Sequence, residues 1–266
     1  MADRVVISVA DHVAEVVLNR PDKFNALDLD MFRALDDAAR TIADDASIRA
    51  VILSGAGDNF CAGIDLGVFR DGGAQAVQAL LSPVEESAAN LAQRAAYAWR
   101  ELPMPVICAL HGIAFGGGLQ IAMGADLRYA APDTQLSIME AKWGLIPDMA
   151  ISTTLRDLVA PDRIKELAWS TGVFAADEAL ALGVITRIEA EPLAAARRMA
   201  ATIRDQSPDA IRGIKRLVNE AWSLSEAASL ALEASIQMGL LGSANQAEAV
   251  RANLEKRKAK FVDSGT

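Results

Sequence analysis

Between Met104 and Asp148 the chain reads MPVICALHGIAFGGGLQIAMGADLRYAAPDTQLSIMEAKWGLIPD, and this stretch restricts its fold more than any other. The apolar, β-branched run Val106 to Leu110 has the pattern of a buried strand. Gly112 and the triplet Gly116, Gly117, Gly118 follow, and Leu119 to Met123 reads as the first turns of a helix. Glycine beside a helix start lets backbone N–H groups approach a ligand, and the first N–H groups of a helix have no internal partner. Such a turn could hold a phosphate, a carboxylate or the negative oxygen that develops on a reacting carbonyl. The alternative is a tight strand-to-helix junction with a packing role only. A phosphate loop would need Lys-Ser or Lys-Thr after its glycines, whereas Leu119 and Gln120 stand there; the dinucleotide pattern G-x-G-x-x-G is also absent.

Glu140 and Asp148 lie in SIMEAKWGLIPDM, among Met, Trp, Leu, Ile and Pro. A carboxyl group set in an apolar wall has its pKa raised toward the range useful for proton transfer. Both are candidate acid–base groups; the competing expectation is that they face water at a loop rim.

The rest of the chain bounds the possibilities. Its 266 residues suffice for one large domain or a core with a helical extension, and an apolar content of 52% excludes a largely disordered chain. A formal charge of -9 argues against a nucleic-acid surface. Cys61 and Cys108 sit in apolar surroundings and read as reduced core residues. With His12 and His111 as the two histidines and no Cys/His cluster, no metal site is expected. No segment reaches about 18 uncharged apolar residues, so no membrane span is expected. The N-terminus lacks a basic-then-apolar leader pattern, which points to the cytoplasm.

In order, residues 4–9 and 13–19 read as a hairpin, a helix should run from near Asp28 through Ile42, and 48–54 as a buried strand. NFCAGIDL then repeats the device of strand, glycine turn and abrupt helical start, so that the N–H near Ala62 could supply a second donor for the same oxygen. Residues 67–89 read as an irregular connection able to cover a pocket. Phe69, Leu80, Leu81, Tyr97 and Trp99 could line an apolar site or pack in the core. Helices are expected over 90–100, 151–159, 164–170, 192–204, 208–221, 225–240 and 244–258, with a short helix from Asp177 to Gly183 and a strand over 184–188. The basic tail RANLEKRKAK could meet phosphates or simply complement a helix C-terminus. Strands precede helices in bulk, which predicts an α/β core over 1–190 and a helical region over 191–266.

The segments PDKFNAL, NFCAGIDL, MPVICALHGIAFGGGLQIAMGADLRYA, SIMEAKWGLIPD and TGVFAADEALALGVI together resemble the crotonase family, the enoyl-CoA hydratases and isomerases. The resemblance implies a crotonase-like spiral of β-β-α turns with C-terminal helices that build a trimer or a dimer of trimers. It implies an acyl-CoA thioester as substrate, with coenzyme A part of that substrate and no separate cofactor. The thioester carbonyl would be held by the N–H groups of Ala62 and Gly117. Lys23, Ala62, Asp65, Leu66 and Gly112 would lie along coenzyme A, and Lys258 and Phe261 would reach its adenine or phosphate end across subunits.

The family's hydratases carry a glutamate just after the glycine triplet and another twenty residues later. Here the positions hold Gln120 and Glu140; an amide cannot act as a carboxylate acid or base, though in the site it can orient a water or a polar group. Asp148, eight residues after Glu140, resembles the spacing of the family's dienoyl-CoA isomerases. The implied activity is double-bond migration in an unsaturated acyl-CoA through an enolate. The alternatives are a hydratase using Glu140 and an acyl-CoA-binding protein with little turnover.

Overall fold

A computed structural model describes residues 3–68, 73–85 and 87–264, so Phe69 and Gly72 lie outside the described residues. The expected hairpin is formed by β1 (Val5–Ala10) and β2 (Val13–Leu18), with Val5 opposite Leu18 and Ala10 opposite Val13. Three further strands, β3 (Ala50–Gly55), β4 (Val106–Leu110) and β6 (Leu127–Ala130), add in parallel, and the short β9 (Arg187–Ile188) closes the order β1-β2-β3-β4-β6-β9. A smaller sheet has the order β5 (Ile113–Phe115), β7 (Gln135–Ser137), β8 (Phe174–Ala175). The helices are α1 (Leu29–Ala43), α2 (Gly73–Leu81), α3 (Leu91–Glu101), α4 (Gly117–Met123), α5 (Ile151–Thr154), α6 (Pro161–Ser170) and α7 (Ala176–Leu182). The last four are α8 (Pro192–Arg204), α9 (Pro208–Ala221), α10 (Glu226–Leu240) and α11 (Ala244–Leu254).

Successive strand side chains point to opposite faces and both faces are buried, which is why Ala50–Leu53 of β3 and all of β4 are apolar. Val51, Leu53, Val106, Cys108 and Leu110 join a core that α1 and α3 complete with Met31, Phe32, Leu35 and Trp99. Ala50, Ile52, Ile107 and Ala109 face the other way, onto Ala195, Ala196, Ala200 and Ile203 of α8. A boundary at residue 190 therefore falls just before a helix that packs directly on the sheet. The helix starts are set by side-chain caps: Asp28 accepts from the Met31 N–H, and Asn90 and Gln93 form a capping box.

Several boundaries differ from those the sequence predicts. The helix beginning at Ile151 stops at Thr154, and the strand expected over 184–188 shrinks to two residues. The last helix ends at Leu254 rather than 258, because Lys256 turns to positive φ and Arg257 folds back onto Glu248. After NFCAGIDL the chain first makes single bridges, Cys61 to Ala114 and Ile64 to Leu27, and turns helical at Gly67. Leu80 and Trp99 are core residues.

Asn25, from PDKFNAL, is fully buried and ties the loop after β3 to the loop before α1. Its amide nitrogen donates to the carbonyls of Ala56, Asn59 and Phe60, and its oxygen accepts the Arg20 N–H. Each buried polar group orphaned by Asn25→Ala costs about 1–3 kcal/mol. We expect a fall of at least about 3 kcal/mol in unfolding free energy, read as a lower urea midpoint at unchanged slope.

Candidate active site

The loop that leaves β3 meets the turn between β5 and α4 here. The ideal Cβ position of Gly63 lies 3.4 Å from the Gly117 nitrogen and 2.6 Å from the Phe115 carbonyl oxygen, so these segments are in contact. Gly117 is the first residue of α4, and among the described residues its N–H has no acceptor. The Ala62 N–H, expected to be the second donor, is already spent on the Phe24 carbonyl at 2.9 Å. That bond exists because Phe24, at φ 51, turns its carbonyl toward the 61–64 segment. An amide without such a partner lies two residues on. The Gly63 carbonyl accepts the Leu27 N–H at 2.8 Å, and a trans peptide then points the Ile64 N–H away from Leu27. Among the described residues the Ile64 N–H has no acceptor either. Leu27 and Met149 wall this gap: a Cβ on Gly117 would lie 2.9 Å from Leu27 Cδ1 and 2.8 Å from Met149 Sδ.

Glu140 opens a 3-10 turn, Glu140–Trp143, and its carboxyl reaches back to the glycine turn, with Oε1 3.2 Å from a Cβ placed on Gly116. Oε1 accepts the Gln120 Nε2–H at 2.6 Å, while Oε2 is buried with no hydrogen-bond partner among the described residues. Burial pushes the Glu140 pKa above its ordinary value; its own backbone N–H, the Gln120 bond and the Met139 N–H pull down, and the charge of Asp148 pushes up. Asp148 has an exposed face, yet loss of water around its carboxyl raises its pKa as well. Gln120, 1% exposed, also accepts the Met149 N–H through Oε1 at 2.8 Å. The structure brings together Gly117, Gln120, Glu140 and the Asp148 loop. Ile64, Leu27 and Met149 were missed, since no signal in the sequence tells which way an amide points or which apolar side chain faces a gap.

A family model described as enoyl-CoA hydratase/isomerase matches residues 9–264. The chain belongs to the enoyl-CoA hydratase/isomerase family. It is 32% identical to the mitochondrial Delta(3,5)-Delta(2,4)-dienoyl-CoA isomerase of Mus musculus, covering 97% of this chain and 81% of that protein. It is 29% identical to the crotonyl-CoA hydratase of Syntrophomonas wolfei, over 98% of both chains. The crystal structure of an enoyl-CoA hydratase from Bacillus anthracis superposes with a TM-score of 0.88 at 27% identity, covering 97% of this chain and 98% of that one. The fold is therefore crotonase-like, α/β with a C-terminal helical region, and the protein is an acyl-CoA hydratase or isomerase.

The structure divides the residues that the resemblance sets along coenzyme A. Lys23 and Leu66 are exposed beside the Phe24–Ala62 contact. Asp65 is engaged within the chain, with Arg20 Nη1 at 2.7 Å and the Gly67 N–H at 2.8 Å, which holds its carboxyl below the ordinary range. Gly112 packs against the Asp58–Asn59 turn, and its carbonyl accepts the Gln135 N–H. Lys258 and Phe261 are not brought to the site in this chain. The Phe261 carbonyl accepts from Arg49, just before β3, whereas the first glycine loop follows the opposite end of that strand. Burial raises the Cys61 thiol to about 12 and pushes the Cys108 thiol up as well. Among the described residues no group of three or more His, Cys, Asp or Glu could share a metal ion, and no helix is long and apolar enough to cross a membrane.

Proposed function

We propose that the protein is an enoyl-CoA isomerase that moves a double bond along an unsaturated acyl-CoA through an enolate. The thioester oxygen sits between the Ile64 and Gly117 N–H groups, which gain strength as negative charge develops on it. One of Glu140 and Asp148 takes a proton from a carbon of the acyl chain. Its electrons pass through the conjugated system to the thioester oxygen, and the other carboxyl returns a proton at a different carbon, so substrate and product have the same atoms. Raised pKa values suit both halves of that exchange, since one group must accept and the other must donate near neutral pH. Lys23 and Leu66 contact coenzyme A, and Lys258 and Phe261 serve the site of a neighbouring copy in a cytoplasmic trimer or dimer of trimers. The exposed Trp222, Met238 and Leu254 on the C-terminal helices support association with further copies.

The observation that carries the isomerase reading is the partner of Glu140. It is an amide, already committed on both sides, and not a second carboxylate able to hold and activate a water. The test is a panel of 2-enoyl, 3-enoyl and dienoyl-CoA substrates assayed with the parent and with Asp148→Asn. Migration of the double bond should dominate, and Asp148→Asn should lower it about 10²-fold. If 3-hydroxyacyl-CoA forms as fast as the double bond moves, hydration by Glu140 is the better description. Tight acyl-CoA binding without either product would leave a binding protein.

A further inference from the structure

We propose that Gln120 is a positioning residue that sets the placement of the two carboxyl groups relative to each other by holding Glu140 and the Asp148 loop at once; this rests on the isomerase reading. An amide has one donor end and one acceptor end, and here both are committed. The Met149 backbone N–H can only donate, so the end of Gln120 that faces it is the oxygen, 2.8 Å away. The Nε2 end then faces Glu140 Oε1 at 2.6 Å. The orientation of the amide is thereby fixed by a backbone group and leaves no freedom of flip.

Two consequences follow for the chemistry. Oε1 of Glu140 already accepts an N–H, which favours Oε2, the buried oxygen with no hydrogen-bond partner, as the oxygen that takes and gives the proton. Met149 is the next residue after Asp148, and its side chain touches Gly117. One buried amide on α4 therefore favours one oxygen of Glu140 as the proton carrier and holds the loop that bears Asp148 and the wall beside the Gly117 N–H. Among the described residues Asp148 is the charged group whose field acts on Glu140, so a shift of that loop also changes the acidity of Glu140.

Gln120→Met keeps the length and loses both bonds; Gln120→Glu keeps the acceptor for Met149 and replaces the donor to Glu140 with a like charge. In Gln120→Met the Met149 amide should exchange with solvent faster, the Glu140 titration should move to higher pH, and kcat should fall about 10²-fold with KM little changed. In Gln120→Glu the Met149 amide should stay protected while the Glu140 titration moves up further, as a coupled pair. Hydrogen exchange follows Met149, and the infrared carboxyl band lost in Glu140→Gln follows Glu140. If Gln120→Met leaves both observables at parental values, or if Gln120→Glu leaves the Glu140 titration in place, the bracket does not exist. Gln120→Glu is nearly isosteric and decides the matter should Gln120→Met fail to fold. A parent that moves no double bond refutes the isomerase reading, whereas amide exchange and titration still test the bracket.

Discussion

Glu140→Gln is expected to slow double-bond migration by about 10²–10⁴-fold, the contribution of a positioned acid or base, and to stabilise the protein at neutral pH. Both effects have one cause. The Glu140 carboxylate has one oxygen satisfied by Gln120 and the other buried with no protein partner, in the field of Asp148. Burial is the largest contribution and raises the folded-state pKa above the unfolded value. A carboxyl group shifted upward favours folding when it is protonated. Its stabilising effect is present below the unfolded pKa and is lost as pH rises through the folded one. The parent should therefore lose stability across that window, and the neutral amide should not. The amide leaves a polar group at the unpartnered position but removes the buried charge, so the melting temperature of the variant should exceed the parent's at neutral pH. The gain should vanish in acid, below the ordinary glutamate range. A stability difference independent of pH would show that the charge at Glu140 is not the cost, and an undiminished kcat would remove Glu140 from the chemistry.

Features that depend on near neighbours in the chain were legible in the sequence. Val106 to Leu110 reads as a buried strand because it needs apolar side chains on both faces, and it forms over those residues. Asp28 and Asn90 announce the helices they cap because a cap acts within three residues. Glu140 and Asp148 stand out as carboxyl groups in an apolar segment, and burial raises both. The strands of the smaller sheet were not legible, since two or three residues are too few to show an alternation. Nor was the direction of the Ala62 N–H, which is decided by the Phe24 carbonyl through an unusual backbone angle at Phe24. The double engagement of Gln120 joins α4 to positions twenty and twenty-nine residues away, and no spacing rule links them. What escaped the sequence is thus the long-range pairing that leaves particular amides free, and the site is made of those amides.

That dependence makes Gly63→Ala the other substitution of large effect, although alanine adds a single methyl group and removes no donor. Gly63 has φ 86, a conformation that costs a residue with a Cβ about 1–3 kcal/mol. Its Cβ would lie 2.6 Å from the Phe115 carbonyl oxygen, too close for contact. Phe115 cannot retreat freely, because its N–H donates to the Cys61 carbonyl and it pairs with Ser137 in β5–β7. The 63–64 segment must move instead, which carries the Ile64 N–H away from Gly117. Misplacing one of two oxyanion donors should lower kcat about 10²–10³-fold, and KM should rise as well, because the moving segment adjoins Leu66 and the proposed coenzyme A contacts. Gly239→Ala is the control, since nothing lies within 4 Å of a Cβ built there, and it should leave both constants as they are. The decisive comparison is kcat in a Gly63→Ala protein shown by its near-ultraviolet circular dichroism to be folded. A parental rate in that protein would mean that the Ile64 and Gly117 amides need not meet at one oxygen, and the enolate would have to be held by some other group.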